Sequence, residues 1–426
     1  MLTRESNLNV RYLGGRRKSA LLAGLTVLGL ILTACGSSKS GGGSSSSTST
    51  GTQASAGTSA GGPGSGSTIN IGVLGAFSGA LAQSGTPVRD GVMAWVQTVN
   101  AAGGINGHPV KAFVEDDKAN PAASTQALRT LVEQDHVVAL VGVNAQGTEQ
   151  TWASYLQARN LPVVGGVQGT AIWNTNPLYF GVSADEYIKE QSFLLGSKAA
   201  GKTKVFAMYC GEIADCATES NKVKDQTSKI GVQWVGSASV SASSANFSAV
   251  CLQAKSGGAT AVAVLLPAAT FGRIADACHQ QGFDPLYATS FGSLSPSVVK
   301  LPYMNGSYTN VALAPADLPA TADYAAAMKK YYPDVDLATA QGQAGWAGGI
   351  LFQTALKNIA ATSTVTSADV IDGLNSIKNN DLGGLVAQPL TFEKGKPHPA
   401  INCIFTAHIK DENLVGDKQP LCAVGS

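Results

Sequence analysis

The sequence predicts an α/β protein whose body is built as two doubly wound parallel-sheet lobes. Short apolar strands alternate with amphipathic helices at the spacing of βαβ units. The alternation restarts after Ser183, and the body from Thr68 to Ser426, 359 residues, is longer than one hydrophobic core comfortably serves.

A leader precedes that body. Arg16, Arg17 and Lys18 are followed by an uncharged run from Ala20 to Leu32, and Leu32-Thr33-Ala34-Cys35 makes a small-residue cleavage site ending in cysteine. A basic end, a short apolar core and small residues define a secretory signal. Its apolar run of about thirteen residues is too short for a bilayer span of about 20. The cysteine resembles that of the bacterial lipobox, so residues 1–34 are expected to be removed and Cys35 to carry acyl chains. Each buried methylene then contributes about 0.8 kcal/mol of membrane attachment. Residues 36–67 are almost wholly Gly, Ser, Thr and Ala, with Lys39 the only charge. Nothing there can be buried against its ordering entropy, so residues 35–67 read as a lipidated cysteine and a flexible tether of about 30 Å mean reach. The expectation is an exported protein, lipid-anchored on the outer face of the cytoplasmic membrane.

In the body, Ile69 to Leu74 is an apolar strand. Val88, Val92, Trp95, Val96 and Val99 recur at helical spacing, opened by Pro87 and closed by Gly103-Gly104. Val110 to Val114 is a strand running into Glu115-Asp116-Asp117, and Pro121 starts a helix with Leu128, Leu131 and Val132 on one face. Val137 to Val141 is a strand, Thr148 to Arg159 a helix, and Leu161 to Val164 a strand again. Beyond Ser183 come a helix at 186–200, strands at 205–209, 232–235, 261–266 and 286–288, and helices at 215–230, 247–255 and 270–281. Helices at 320–332, 341–360 and 367–378 follow, the second spaced by Gly342, Gly345, Gly348 and Gly349 for close packing, and then a β-rich tail. In open α/β sheets ligands bind beyond the carboxyl ends of strands, so the site belongs in the cleft between the lobes.

From Cys35 onward the chain carries 24 basic against 27 acidic side chains, a formal −3, with no clustered Lys and Arg to mark nucleic-acid binding. Besides Cys35, six cysteines form an even set in a disulfide-tolerant compartment. Proximity pairs Cys210 with Cys216, Cys251 with Cys278, and Cys403 with Cys422; no Cys-x-x-Cys motif offers a metal site. His108, His136, His279, His398 and His408 share no ligand spacing and read as surface or turn residues, and no cofactor is expected. Gly196-Ser-Lys-Ala-Ala-Gly201-Lys202-Thr203 matches the P-loop letters. A phosphate cradle needs a strand before it and a helix after, whereas the order here is reversed. Gly75-Ala-Phe-Ser78-Gly79 is not a nucleophile elbow, and Ser78 reads as a hydrogen-bonding loop residue at the cleft.

The order and spacing of several segments resemble the type I periplasmic binding proteins of the branched-chain amino acid group. These are Ile71-Gly72-Val73 into Phe77-Ser78-Gly79, Val99-Asn100-Ala101-Ala102-Gly103-Gly104-Ile105-Asn106-Gly107, Asp116-Asp117, Leu161 to Gly166, and Ala277 to Phe283 before Asp284-Pro285. The resemblance implies two lobes joined by three crossovers near Ser183, Leu313 and Gln388, with lobe 1 at 68–183 plus 313–388 and lobe 2 at 184–312 plus 389–426. It also implies a monomer that captures a small molecule and presents it to an ABC permease. A ligand-sensing surface receptor of the same fold is the alternative, and a secreted oxidoreductase the less favoured one, for which no fingerprint loop or convergent acid/base pair is found.

In amino-acid-binding members, the loops after the third and fourth strands hold the ligand carboxylate. They correspond here to Asn144-Ala145-Gln146-Gly147 and Val167-Gln168-Gly169. A second-lobe acid against the ligand ammonium falls on Phe291, and an aromatic partner on Pro267. Phenylalanine cannot pair with an ammonium, and an unpaired buried charge is costly. Glu212, in the loop between Cys210 and Cys216, is a candidate substitute. Phe77, Val167, Trp173, Pro267 and Phe291 together suggest a solute less polar than a free amino acid: an aromatic or aliphatic acid, or an amide.

Overall fold

The computed structural model describes residues 66–425 apart from 146, 213 and 338–340. The signal sequence, Cys35 and nearly all of the tether lie outside the described residues. The last two tether residues, Gly66 and Ser67, are already bound to the body: the Gly66 N–H donates to the Gly107 carbonyl at 2.9 Å, and the Ser67 hydroxyl to that of Ser363.

The first sheet is wholly parallel. It comprises β1 (Ile69–Gly75), β2 (Val110–Asp116), β3 (Ala139–Val143), β4 (Val163–Gly166) and β5 (Tyr179–Phe180), in the order β2-β1-β3-β4-β5. β3 is Ala-Leu-Val-Gly-Val and buried at every position, as a parallel strand covered on both faces requires. One face is covered by α1 (Ala82–Ala101), and the other by α2 (Pro121–Glu133) and α3 (Ala153–Arg159). Pro87 lies inside α1 rather than opening it, because a 3-10 turn at Gly79–Leu81 starts the helix early. Asn120 caps α2, its side-chain oxygen accepting the N–H groups of Ala122 and Ala123.

Residues 181–185 lead to the second half: α4 (Glu186–Ala199), β6 (Lys204–Cys210), α5 (Ala214–Asp225), α6 (Thr227–Ile230), β7 (Gln233–Val240), α7 (Ser248–Ser256), β8 (Ala261–Leu265), α8 (Ala268–Gln280), β9 (Leu286–Thr289), α9 (Pro296–Val299) and β10 (Tyr308–Val311). Gln226 divides what reads from sequence as one helix into α5 and α6. α4 precedes β6, so the P-loop letters span a helix end and a strand start, with Gly201 at φ 71° between them.

The chain then returns to the first sheet as α10 (Ala322–Tyr331), α11 (Gly342–Ala355) and α12 (Ser367–Asn375), which pack on the α1 side. α11 lies against α1 so closely that a methyl group at Gly345 would collide with the Val88 carbonyl oxygen, and one at Gly91 with that of Gly342. The tail is β11 (Cys403–Lys410), β12 (Asn413–Gly416) and β13 (Leu421–Cys422). The second sheet runs β12-β11-β10-β9-β8-β6-β7, parallel from β10 to β7 but antiparallel at β11 and β12, so it is mixed. Asp411 and Glu412, both at positive φ, make the two-residue turn of the β11–β12 hairpin.

Phe392 still packs in the first core, edge-on to Phe180 at 5.2 Å, so the last connection runs through residues 393–402, later than Gln388. The three expected disulfides form as paired by proximity. Cys251–Cys278 ties α7 to α8 across a 27-residue separation, a loop size whose closure is worth about 3.5 kcal/mol. No described helix is long and apolar enough to cross a membrane.

Candidate functional site

Where the two sheets approach each other lies a cavity of about 290 Å³. Val167 follows β4 of the first sheet, and Ser290 and Gly292 follow β9 of the second. Ser183, Ala312 and Leu313 come from the connections between sheets, Lys189 from α4, and Gln341 and Gln343 from the start of α11. Carboxyl ends of strands from both sheets therefore meet in one space, the placement that open α/β sheets favour for ligands. A larger and more open hollow, about 680 Å³, lies beyond Gln168 and Gly169, with Glu186, Lys222 and Lys229 on its walls. Its second-sheet walls are helix sides and the chain tail rather than strand ends, so the smaller cavity is the better candidate.

The loops that form the first sheet's rim are held by buried acids. Asp117, fully buried, accepts the Ser124 and Thr148 hydroxyls and the Ala119 N–H, and the Trp152 indole N–H donates to Ser124. Its neighbour Asp116 points the other way and accepts the Phe77 N–H at 2.9 Å and the Lys118 N–H at 3.0 Å. Burial works against the Asp116 charge, but the Ser78 hydroxyl and these two N–H groups hold its carboxyl below the usual range. Ser78 is thus an exposed loop residue tied to Asp116. Phe77, half-buried beside it, has the Arg89 guanidinium over its ring at 5.7 Å. Glu149 joins the two expected ligand loops: it is buried, and its carboxylate accepts the Gly147 N–H at 2.8 Å and the Thr170 hydroxyl at 2.7 Å.

Gln168 links the rim to both connections. Its side-chain amide nitrogen lies 3.2 Å from the His398 Nε2, and its backbone carbonyl accepts the Lys189 ammonium at 2.9 Å. His398 Nδ1 faces the Pro399 carbonyl at 2.7 Å, so the ring donates there and accepts from Gln168. Gly181 is needed at this contact, since a methyl group there would overlap the Gln168 amide. Burial pushes the His398 imidazole below its ordinary value, against the Pro399 carbonyl and Asp185, which favour the charged form. His398 and His108 are both buried, contrary to the surface reading from sequence. His108 is enclosed because its ring nitrogens reach the Ser67 and Ala360 carbonyls at 2.8 and 3.0 Å.

Of the sequence-derived ligand residues, Val167 lines the cavity, while Gln168 and Gly169 border the open hollow. Gln146 lies outside the described residues. The Phe291 side chain is likewise not described, although Ser290 and Gly292 on either side of it line the cavity. Three others do not line the cavity. Trp173 is 1% exposed and stacks edge-on against Tyr179 at 5.3 Å in the first core, because its 3-10 turn folds the ring beneath β5. Glu212 is exposed, and its carboxylate is occupied by the Ser241 hydroxyl and the Ala242 N–H, each at 2.7 Å, which lower its pKa. Pro267 is an exposed residue capping the start of α8. Sequence reading missed Lys189, Ser290, Gln341 and Gln343. Their only sequence signal is position, at the start of a helix or just after a strand.

Residues 68–413 match the family model for periplasmic binding proteins. The chain belongs to that family. The solved structures it resembles are type I periplasmic binding proteins with the same two-sheet α/β fold. A branched-chain amino acid ABC transporter protein from Thermus thermophilus with bound valine aligns at TM-score 0.69 and 14% identity, over 84% of this chain and 97% of that one. A solute-binding protein from R. palustris in complex with 4-hydroxybenzoate aligns at TM-score 0.64 and 18% identity, over 84% and 98%. At these identities the likeness is one of fold. An amino acid binding protein of Pseudomonas aeruginosa is 39% identical over 72 residues, 17% of this chain; the alignment spans 19% of that relative's length. Type I periplasmic binding proteins bind small-molecule ligands, work with ABC-transporter permeases and act outside the cytoplasm. Among the described residues no cluster of His, Cys, Asp or Glu could hold a metal ion.

Proposed function

We propose that this periplasmic binding protein is the capture component of an ABC importer, anchored through Cys35 on the outer face of the cytoplasmic membrane. It takes one small solute, an amino acid-like molecule, an amide, or an aromatic or aliphatic acid, between its two sheets. The observation that carries the reading is the composition of the 290 Å³ cavity: strand ends of both sheets and two of the connecting segments line it together. A solute held there touches both halves and the hinge at once, so occupancy becomes a change of shape that a permease can read.

The test has two parts. The purified mature chain, titrated calorimetrically with solutes of these classes, is expected to bind one per chain. In cells, the wild type is expected to enter the detergent phase on partitioning and the Cys35→Ala variant to leave it. A chain that binds none of these solutes contradicts the capture reading, and a Cys35→Ala variant that partitions like the wild type contradicts the anchor.

A further inference from the structure

α11 begins at the cavity. Its first-turn N–H groups at Gly342 and Gln343 have no protein partner among the described residues, and the Gln341 side chain makes no capping bond. This is the positive end of a 14-residue helix. A second observation points to an occupant. Gln343 is 4% exposed and lines the cavity, yet its side-chain amide has no hydrogen-bond partner among the described residues. An enclosed residue whose amide opens onto the cavity offers it two N–H donors and a carbonyl acceptor that no described protein group satisfies.

The surroundings set the sign of that partner. Lys189 brings an ammonium to the same wall; it spends two donors, on the Gln168 carbonyl at 2.9 Å and on Glu186 at 2.7 Å, and keeps a third. Among the described residues, no aspartate or glutamate lines the cavity. Gln146, Phe291, Ala338, Thr339 and Ala340 are not acids either. On the first-sheet rim, Gly147 N–H and Thr170 hydroxyl donors already hold the chain's own carboxylate, that of Glu149. Val167, Val311, Leu313 and Ile404 supply an apolar wall opposite.

We propose that the cavity takes a monocarboxylic acid with no ammonium group, its carboxylate held at the start of α11 by the Gly342 and Gln343 N–H groups, the Gln343 amide and Lys189. This rests on the solute-capture reading and narrows its ligand to one class. An ammonium in the same space would face a helix N-terminus and a lysine, with Glu186 already spent on that lysine and no acid on the cavity wall, which disfavours a buried cation.

The test titrates the mature chain with matched triplets: 4-methylpentanoate, 4-methylpentanamide and leucine; 3-phenylpropanoate, 3-phenylpropanamide and phenylalanine; hexanoate, hexanamide and norleucine. In the triplet that binds best, the acid is expected to bind at least ten-fold more tightly than its amide and its amino acid. Gln343→Leu and Lys189→Met are each expected to remove most of that preference, weakening the acid by far more than they weaken the amide. Melting curves check that both variants fold, and if Gln343→Leu does not, Lys189→Met carries the comparison. An amide or amino acid that matches its acid, or variants that keep the preference, overturn the assignment of charge and leave solute capture standing. Silence from all three triplets overturns capture of these solute classes with it.

Discussion

At the scale of single residues, the site is organised by buried polar groups that leave few charges free. Asp117 and Glu149 spend their carboxylates on hydroxyls and N–H groups of the rim loops, so the loops are fixed before any solute arrives. His398 is a residue whose burial ties stability to pH. Its folded pKa is lowered by burial, so the unfolded chain takes up the proton first. Its contribution to stability is therefore whole above the unfolded value of about 6.5 and is lost progressively as pH falls from there toward the lower folded value. The melting temperature of the wild type is expected to fall between pH 7.5 and 5.5, and that of His398→Gln to fall less. Equal slopes in the two proteins would show that His398 is not the group responsible. This contact was not legible in the sequence: Gln168 and His398 lie 230 positions apart, and no local pattern marks such a pair.

At the scale of elements, regular strands and helices were legible wherever a covered face imposed a period. β1, β3, β8 and the apolar stripe of α1 are of this kind. β5 and β10 were not, since Tyr179–Phe180 is too short to show a period and Tyr-Thr-Asn-Val mixes polar and apolar residues on a fully buried strand. The glycine spacing of α11 read correctly as close packing, but its N-terminus did not read as part of the site. The same contact makes a prediction. Gly345→Ala would gain helix propensity of about 1 kcal/mol, yet its methyl group meets the Val88 backbone, and overpacking of this kind typically costs about 1–3 kcal/mol. A net loss in the denaturation midpoint is expected, together with weaker solute binding as α11 shifts its first turn. A variant as stable as the wild type would mean that α1 and α11 can separate at no cost.

At the scale of the molecule, the account rests on two sheets that share one solute. The two-lobed plan was visible in the restart of the strand–helix rhythm after Ser183, while the mixed character of the second sheet was not, because the antiparallel strands come from a tail remote in sequence. Cavity walls from β10, β11, α4, α11 and the loops after β4 and β9 are drawn from residues 167 to 404, and only the folded chain gathers them. Amide hydrogen exchange of the mature chain, with and without the acid that binds best, tests this most directly. Slowed exchange is predicted together in residues 165–169 and 341–346 of the first half and 288–293 and 308–313 of the second. Protection confined to one half, or centred instead on the hollow around Lys222, Lys229 and residues 400–402, would contradict it.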